Sequence, residues 1–358
     1  NGEWTTKRQA YYFKPNLKGQ TYDVGGSGSA SSAISNAIEL GFYSHIGGLG
    51  KVPSDVKLGA IFTRPHLSGG ANATCTFWRS VENVEVMRDF SWTVSQSTSA
   101  RRLLIENTSK YISDIGDTNF WGSGGFIADA HYAYTSERPN WGGQQQWYTR
   151  NTVFPSGSEA MGGSYNMVWQ GCVNPPKADD SNSPIPTTPI IREKPFLFID
   201  SDGEYKVFVP AWQRDRVGVS WSATDMGKGQ IQDLIANWYV AKEGDTDVEI
   251  NAALKAGKNI FFTPGHYALN APIQVNRKDA ILLGAGIASV TLEPTEKNSW
   301  GCIYADDKDG IIIAGLLMDS LNSTTYQVRI GNEGANADHS SDPILLSDIT
   351  CRVGGVQS

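Results

Sequence analysis

Three acidic residues stand where a carboxyl group could act on a sugar: Asp129 in GGFIADAHY, Glu193 in REKPF and Asp319 in LLMDS. Glycoside hydrolysis commonly needs two such groups, about 5 to 5.5 Å apart when configuration is retained and about 6.5 to 9.5 Å apart when it is inverted. Trp121, Trp141, Trp147 and Trp169, the amides Gln144 and Gln146, and Arg192 beside Glu193 supply what sugar binding asks for. Pyranose C–H faces pack on rings, while hydroxyls bond to amides and charged groups. Each candidate also has a plainer reading. Arg192, Glu193 and Lys194 suit a salt-bridge network at a junction, Asp129 and Asp319 suit turns, and the tryptophans suit the filling of core corners.

Other chemistries find little support. No GxSxG, P-loop or HExxH motif occurs, and His131, His266 and His339 stand apart from one another. Cys75, Cys172, Cys302 and Cys351 form no C-x-x-C pair, which argues against zinc, and their even number permits two disulfides or none. Asp306, Asp307 and Asp309, and the stretch DHSSD from Asp338 to Asp342, carry oxygens suited to Ca²⁺ or simply to solvated turns. No metal or cofactor is expected.

Composition narrows the partners. The net charge is −7, from 30 basic and 37 acidic residues, and no basic run exceeds Arg101-Arg102, so a nucleic-acid partner is not expected. The longest apolar run, Ile311 to Met318, is far short of the roughly 20 residues that span a bilayer. Asn72, Asn107 and Asn322 each open an N-x-[ST] triplet and are the candidate glycosylation sites of a secreted chain. The expected partner is a polysaccharide and the expected compartment extracellular.

Something must position these residues, and a repeat supplies it. Strand-like runs begin at Phe77, Arg101, Gly124, Gln144 and Tyr165, at spacings of 24, 23, 20 and 21 residues, with earlier runs from Gly41 and Val56. Each is rich in β-branched and aromatic residues and bounded by Gly, Ser, Asn or Asp. A steady period of this length predicts a solenoid whose coils bury their inward faces against one another. From Asn174 to Pro189 the sequence turns Pro- and Ser-rich and reads as a linker or long surface loop, and Arg192 to Trp212 reads as a hairpin around Ser201-Asp202-Gly203. Asp245 to Lys258 reads as a helix capped by Thr246 or Asp247, with Val248, Ile250, Asn251 and Leu254 near one face and Gly257 ending it. Further strand runs follow it.

That helix, then Pro264-Gly265-His266-Tyr267 and Gly284-Ala285-Gly286, resembles the opening of the pectate-lyase-like superfamily of right-handed β-helices. The first half resembles the N-terminal β-helix of glycoside hydrolase family 55, the exo-β-1,3-glucanases. The resemblance rests on Asn72 to Val86, Trp92 to Gln96, Gly124 to Asp129, Gln144 to Asn151, Tyr165 to Val168 and Arg192 to Phe196. It implies an all-β protein of two tandem right-handed parallel β-helices, with the sugar cleft between them. The boundaries expected are residues 1–174 for the first helix, 175–243 for the linker and bridging hairpin, and 244–358 for the start of the second.

The function expected is a secreted glycoside hydrolase acting on a β-1,3-glucan. The alternatives are a non-catalytic carbohydrate-binding or structural wall protein of the same fold and, third, a polysaccharide lyase. The chain starts at Asn1 rather than Met, and its last run, Ile344 to Gly355, still reads as an ordinary coil. A piece of a longer precursor is therefore expected, with the remainder a candidate partner.

Overall fold

Alternation of apolar and polar residues every second position, repeated coil after coil, builds two stacks of parallel strands. The computed structural model describes residues 4–18, 20–22, 38–63, 73–88, 90–106, 122–133, 139, 141, 143–156 and 165–354. In the first stack Gln9–Phe13, Ser44–Gly48, Arg79–Val86, Thr98–Ile105, Phe126–Ala128, Tyr148–Arg150, Met167–Gln170 and Asn182–Ile185 follow in chain order, each parallel to the one before. Register aligns Val81, Ala100, Ile127, Thr149 and Trp169 in one inward column, all fully buried. The next column, Glu82, Arg101, Ala128, Arg150 and Gln170, therefore points the other way.

Five of these strands bend or end at the same corner. Asn83, Arg102, Asp129, Asn151 and Gly171 stack there with φ of 59°, 51°, 54°, 48° and 62°. Left-handed backbone is costly for most residues and least so for Asn, Asp and Gly, which explains four of the five. The Asn83 amide adds bonds to the carbonyls of Gly48 and Gly50, at 3.0 and 2.7 Å.

The second stack opens with Trp238–Ala241, followed by the expected helix, Asp247–Lys255. Thr246 caps it and the Glu249 carboxylate accepts from the Thr246 amide at 2.8 Å, a reciprocal capping box. Ile250 and Leu254 bury against the stack, but Val248 is 71% exposed, so the apolar face is narrower than expected. At about 100° per residue, Val248 lies on the far side from Ile250. Trp238–Ala241, Asn259–Phe262, Ile281–Gly284, Ile312–Ser320 and Leu345–Val353 pair in parallel, and Ile273–Val275, Ile303–Ala305 and Val328–Ile330 form a second parallel face.

Between the stacks, Phe196–Ile199 and Tyr205–Val209 form the expected antiparallel hairpin, extended by Gln230–Asp233. The segment read as a linker is more ordered than its composition suggests. Asn182–Ile185 extends the first sheet, and Thr188–Ile191 pairs with Gln213–Arg216. The Asp179 carboxylate accepts from the amides of Ser181 and Asn182 at 2.8 and 2.7 Å, and Asn182 accepts from the Trp169 indole at 3.0 Å. These local bonds fix a polar stretch as a strand. Cys172 is a buried thiol, not one half of a disulfide with Cys75.

The stacks lie side by side. Phe42 and Tyr43 pack against Ile287, Ala288 and Leu317, the Tyr12 hydroxyl donates to the Ala285 carbonyl at 3.0 Å, and Arg352 reaches the Tyr43 hydroxyl at 2.7 Å.

Candidate functional site

Beyond that apolar seam the two stacks diverge into a groove of about 520 Å³. Its first wall carries Arg101, Phe126, Tyr148, Arg150 and Gln170, the second carries Leu346, Asp348 and Thr350, and Ile190 and Arg192 close one side. Phe126 and Tyr148 are register neighbours on adjacent coils, with ring centroids 5.5 Å apart, and Arg101 stacks over Phe126 at 4.6 Å. The groove thus combines two half-exposed rings with guanidinium, amide and carboxylate groups. That is the chemistry of sugar recognition.

A buried charge network fixes the walls. Arg101 makes a two-pronged contact with Asp348, its Nε at 2.9 and 3.0 Å and an Nη at 2.6 Å, while Ser99 donates to the same carboxylate at 3.0 Å. Burial alone would raise the Asp348 pKa, but Arg101 outweighs it and holds the group below its ordinary range. Glu193 lies behind the wall: its Oε2 meets Arg150 at 2.8 Å and Arg101 at 3.4 Å, and its side chain is 5% exposed. Its Oε1 is buried without a hydrogen-bond partner.

The other acids read from the sequence lie elsewhere. Asp129 is a fully buried corner residue, accepting from the Ser220 amide at 2.5 Å and hydroxyl at 2.9 Å, with Arg102 3.6 Å away. Burial first, and then the Glu193 carboxylate, push its pKa up to about 7 against the pull of Arg102 and Ser220. Asp319 is buried in the seam and bonded to Arg352. Neither lines the groove.

The tryptophan reading is corrected. Trp141, Trp147 and Trp169 are 0%, 1% and 0% exposed and fill the lumen of the first stack, with Trp141 and Trp169 edge to face at 4.8 Å. Gln144 is buried too, its amide donating to the Trp92 carbonyl at 3.1 Å, so it serves the core. Gln146 is an exposed corner residue with φ of 54°, bonded to the Ser123 hydroxyl. Arg192 does reach the groove and pairs with Asp342 at 2.8 Å. Asn322 is half-buried, and its amide donates to the Pro294 carbonyl at 3.2 Å. Trp121, Asn72 and Asn107 lie outside the described residues.

His339 does not stand alone. Its two ring nitrogens meet Asp309 at 2.7 Å and Asp307 at 2.6 Å, and those bonds raise its pKa. The acidic turn is thus satisfied by imidazole, and among the described residues no group of three or more His, Cys, Asp or Glu side chains could hold a metal.

Residues 238–358 match the LAM55 pectate lyase-like domain. In that segment the chain is similar to the pectate lyase-like family. It is 35% identical over 364 residues to a protein of Streptomyces sp. (strain SirexAA-E / ActE) named exo-beta-1,3-glucanase, covering 99% of this chain and 55% of that relative. The chain therefore spans little more than half the relative's length. The structure of sacteLam55A from the same organism superposes with a TM-score of 0.82 at 32% identity, over 99% of this chain and 60% of that one. A glutamate-to-alanine variant of sacteLam55A in complex with glucose gives 0.81 at 33%, with the same coverage.

The groove residues missed by the sequence reading are Arg101, Arg150, Phe126, Tyr148 and Asp348. A signal for some was present. In QQQWYTRN, period-two alternation puts Trp147 and Thr149 on one face and Tyr148 and Arg150 on the other, so a buried Trp147 implies an outward Tyr148 and Arg150.

Proposed function

We propose that this family 55-like chain belongs to a secreted glycoside hydrolase that releases glucose from a β-1,3-glucan. In this reading it folds as two tandem right-handed parallel β-helices whose seam opens into the glucan groove. The observation that carries the reading is 35% identity sustained across 99% of the chain to a protein named exo-beta-1,3-glucanase. The groove agrees with it. Phe126 and Tyr148 offer ring faces to a sugar, Arg101, Arg150 and Gln170 offer donors to its hydroxyls, and Asp348 offers an acceptor.

Glu193 is assigned to positioning rather than proton transfer, because it stands behind Arg101 and Arg150 and fixes both. Asp129 and Asp319 serve the corner and the seam. The polysaccharide is the partner, and the extracellular space is where a polymeric glucan is met.

The test is glucose release from laminarin. Glucose as the sole early product is expected, and Phe126→Ala with Tyr148→Ala should raise KM about tenfold with little change in kcat, as for groups that bind ground and transition states alike. Glu193→Gln should also act mainly on KM, and a selective collapse of kcat would instead make it a catalytic residue. A folded protein that binds laminarin but releases no glucose would favour the non-catalytic wall-protein reading.

A further inference from the structure

We infer that a second glucan-binding site lies on the outer face of the second stack, away from the groove. There Trp300, Tyr304, Tyr326, Arg329, Gln274 and Asn332 enclose a hollow of about 300 Å³. None of these residues belongs to the groove between the stacks. The site adds to the hydrolase reading and does not depend on it.

The coil repeat builds this surface. Gln274, Tyr304 and Arg329 are register neighbours in three successive coils, so their outward side chains form one column. Trp300 and Tyr326 sit on the loops entering those coils, which are bound to each other by the Tyr326 amide and the Trp300 carbonyl at 3.0 Å. Gly301 makes that approach possible. Its φ is 129°, and a Cβ there would stand 1.5 Å from the Tyr326 carbonyl oxygen. The two large rings are thereby carried on adjacent coils, about 4.8 Å apart along the stack.

These rings stay in water at some cost. Trp300 is 58% and Tyr326 42% exposed, although large aromatic rings are ordinarily buried. Arg329 stacks between Tyr326 at 5.2 Å and Tyr304 at 5.8 Å and donates to the Gly331 carbonyl at 3.0 Å. The Tyr304 hydroxyl donates to Asn332 at 2.6 Å. Rings on neighbouring coils, held in place and edged by amides and a guanidinium, match a chain of pyranoses laid along the stack. The lining, which Pro272 and Ile303 complete, includes no carboxylate and a single cation, already occupied by rings and a carbonyl. A neutral glucan suits this lining better than a polyuronate.

Retardation of the folded protein in native gels containing laminarin tests the site. Trp300→Ala with Tyr326→Ala is expected to weaken apparent affinity about tenfold while glucose release from short laminari-oligosaccharides stays at the parent level. Trp300→Ala alone, at a ring more than half in solvent, should give a partial loss and guards against a folding defect in the double variant. Unchanged retardation in both variants overturns the proposal, and so does equal retardation of the parent in polygalacturonate gels. If the parent released no glucose but its retardation still fell with Trp300→Ala, the hydrolase reading would fail and this site would stand.

Discussion

The two stacks solve the same packing problem with different side chains. The first fills its lumen with Trp92, Trp141, Trp147, Trp169, Phe90, Phe154 and Tyr132, whereas the second relies on Ile260, Leu282, Ile313, Val290, Leu292 and similar aliphatic residues. Aliphatic ladders suit coils that superpose closely, because branched side chains nest on their own kind. Large rings fill unequal spaces, as in the first stack, where Trp141, Trp147, Trp169, Phe154 and Tyr132 meet mostly edge to face. The division extends to the groove. The first stack supplies the rings and the arginines Arg101 and Arg150, and the second supplies mainly Asp348 and apolar edges. The aromatic, guanidinium and amide groups of the groove are concentrated on the stack with the less regular core.

The largest loss of stability is expected at a lumen tryptophan. Trp169→Ala should cost about 3 to 5 kcal/mol in denaturant unfolding, through the cavity left among Trp141, Phe154 and Asn182. Ile313→Ala, the corresponding change in the aliphatic stack, should sit nearer about 2 to 4 kcal/mol. A larger loss at Ile313 would mean that the aromatic core is the looser of the two.

Across the seam, Arg101→Met leaves Asp348 buried without its guanidinium partner, and about 3 kcal/mol should be lost. Because Asp348 is held below its ordinary range, its contribution is present above the unfolded pKa and fades as pH falls through the folded one. The parent should therefore lose stability in acid more steeply than the Arg101→Met variant. Parallel stability curves between about pH 5 and 2 would dismiss the pair as a source of acid sensitivity.

Asp129 has the opposite sign. Its folded pKa, raised to about 7, means that the native state binds more protons than the unfolded chain between roughly pH 4 and 7, so its contribution worsens as pH rises through that window. Asp129→Asn should flatten the slope of stability over that range, as read from unfolding midpoints at a series of pH values. A slope unchanged by the substitution would place its source elsewhere.

The smallest effect belongs to the helix after the first strand of the second stack. Thr246→Ala removes the cap on the Glu249 amide and should cost about 1 kcal/mol.

Local units were written in neighbouring residues. The turn at Asp129, the helix cap at Thr246 and the hairpin around Asp202-Gly203 depend on neighbours a few positions away, and each was legible in order. Repeated runs marked the solenoid because every coil needs the same inward residues. Which face each ring and charge serves depended instead on the stacking of the coils. Trp147 and Tyr148 are adjacent and both aromatic, yet one is core and the other lines the groove. Glu193 meets Arg101 and Arg150, and Arg101 meets Asp348 across 247 residues, because coil register and the docking of the stacks bring them together. Unequal loops set that register, so no fixed spacing in the sequence records it, and buried charges find their partners only once the seam has closed.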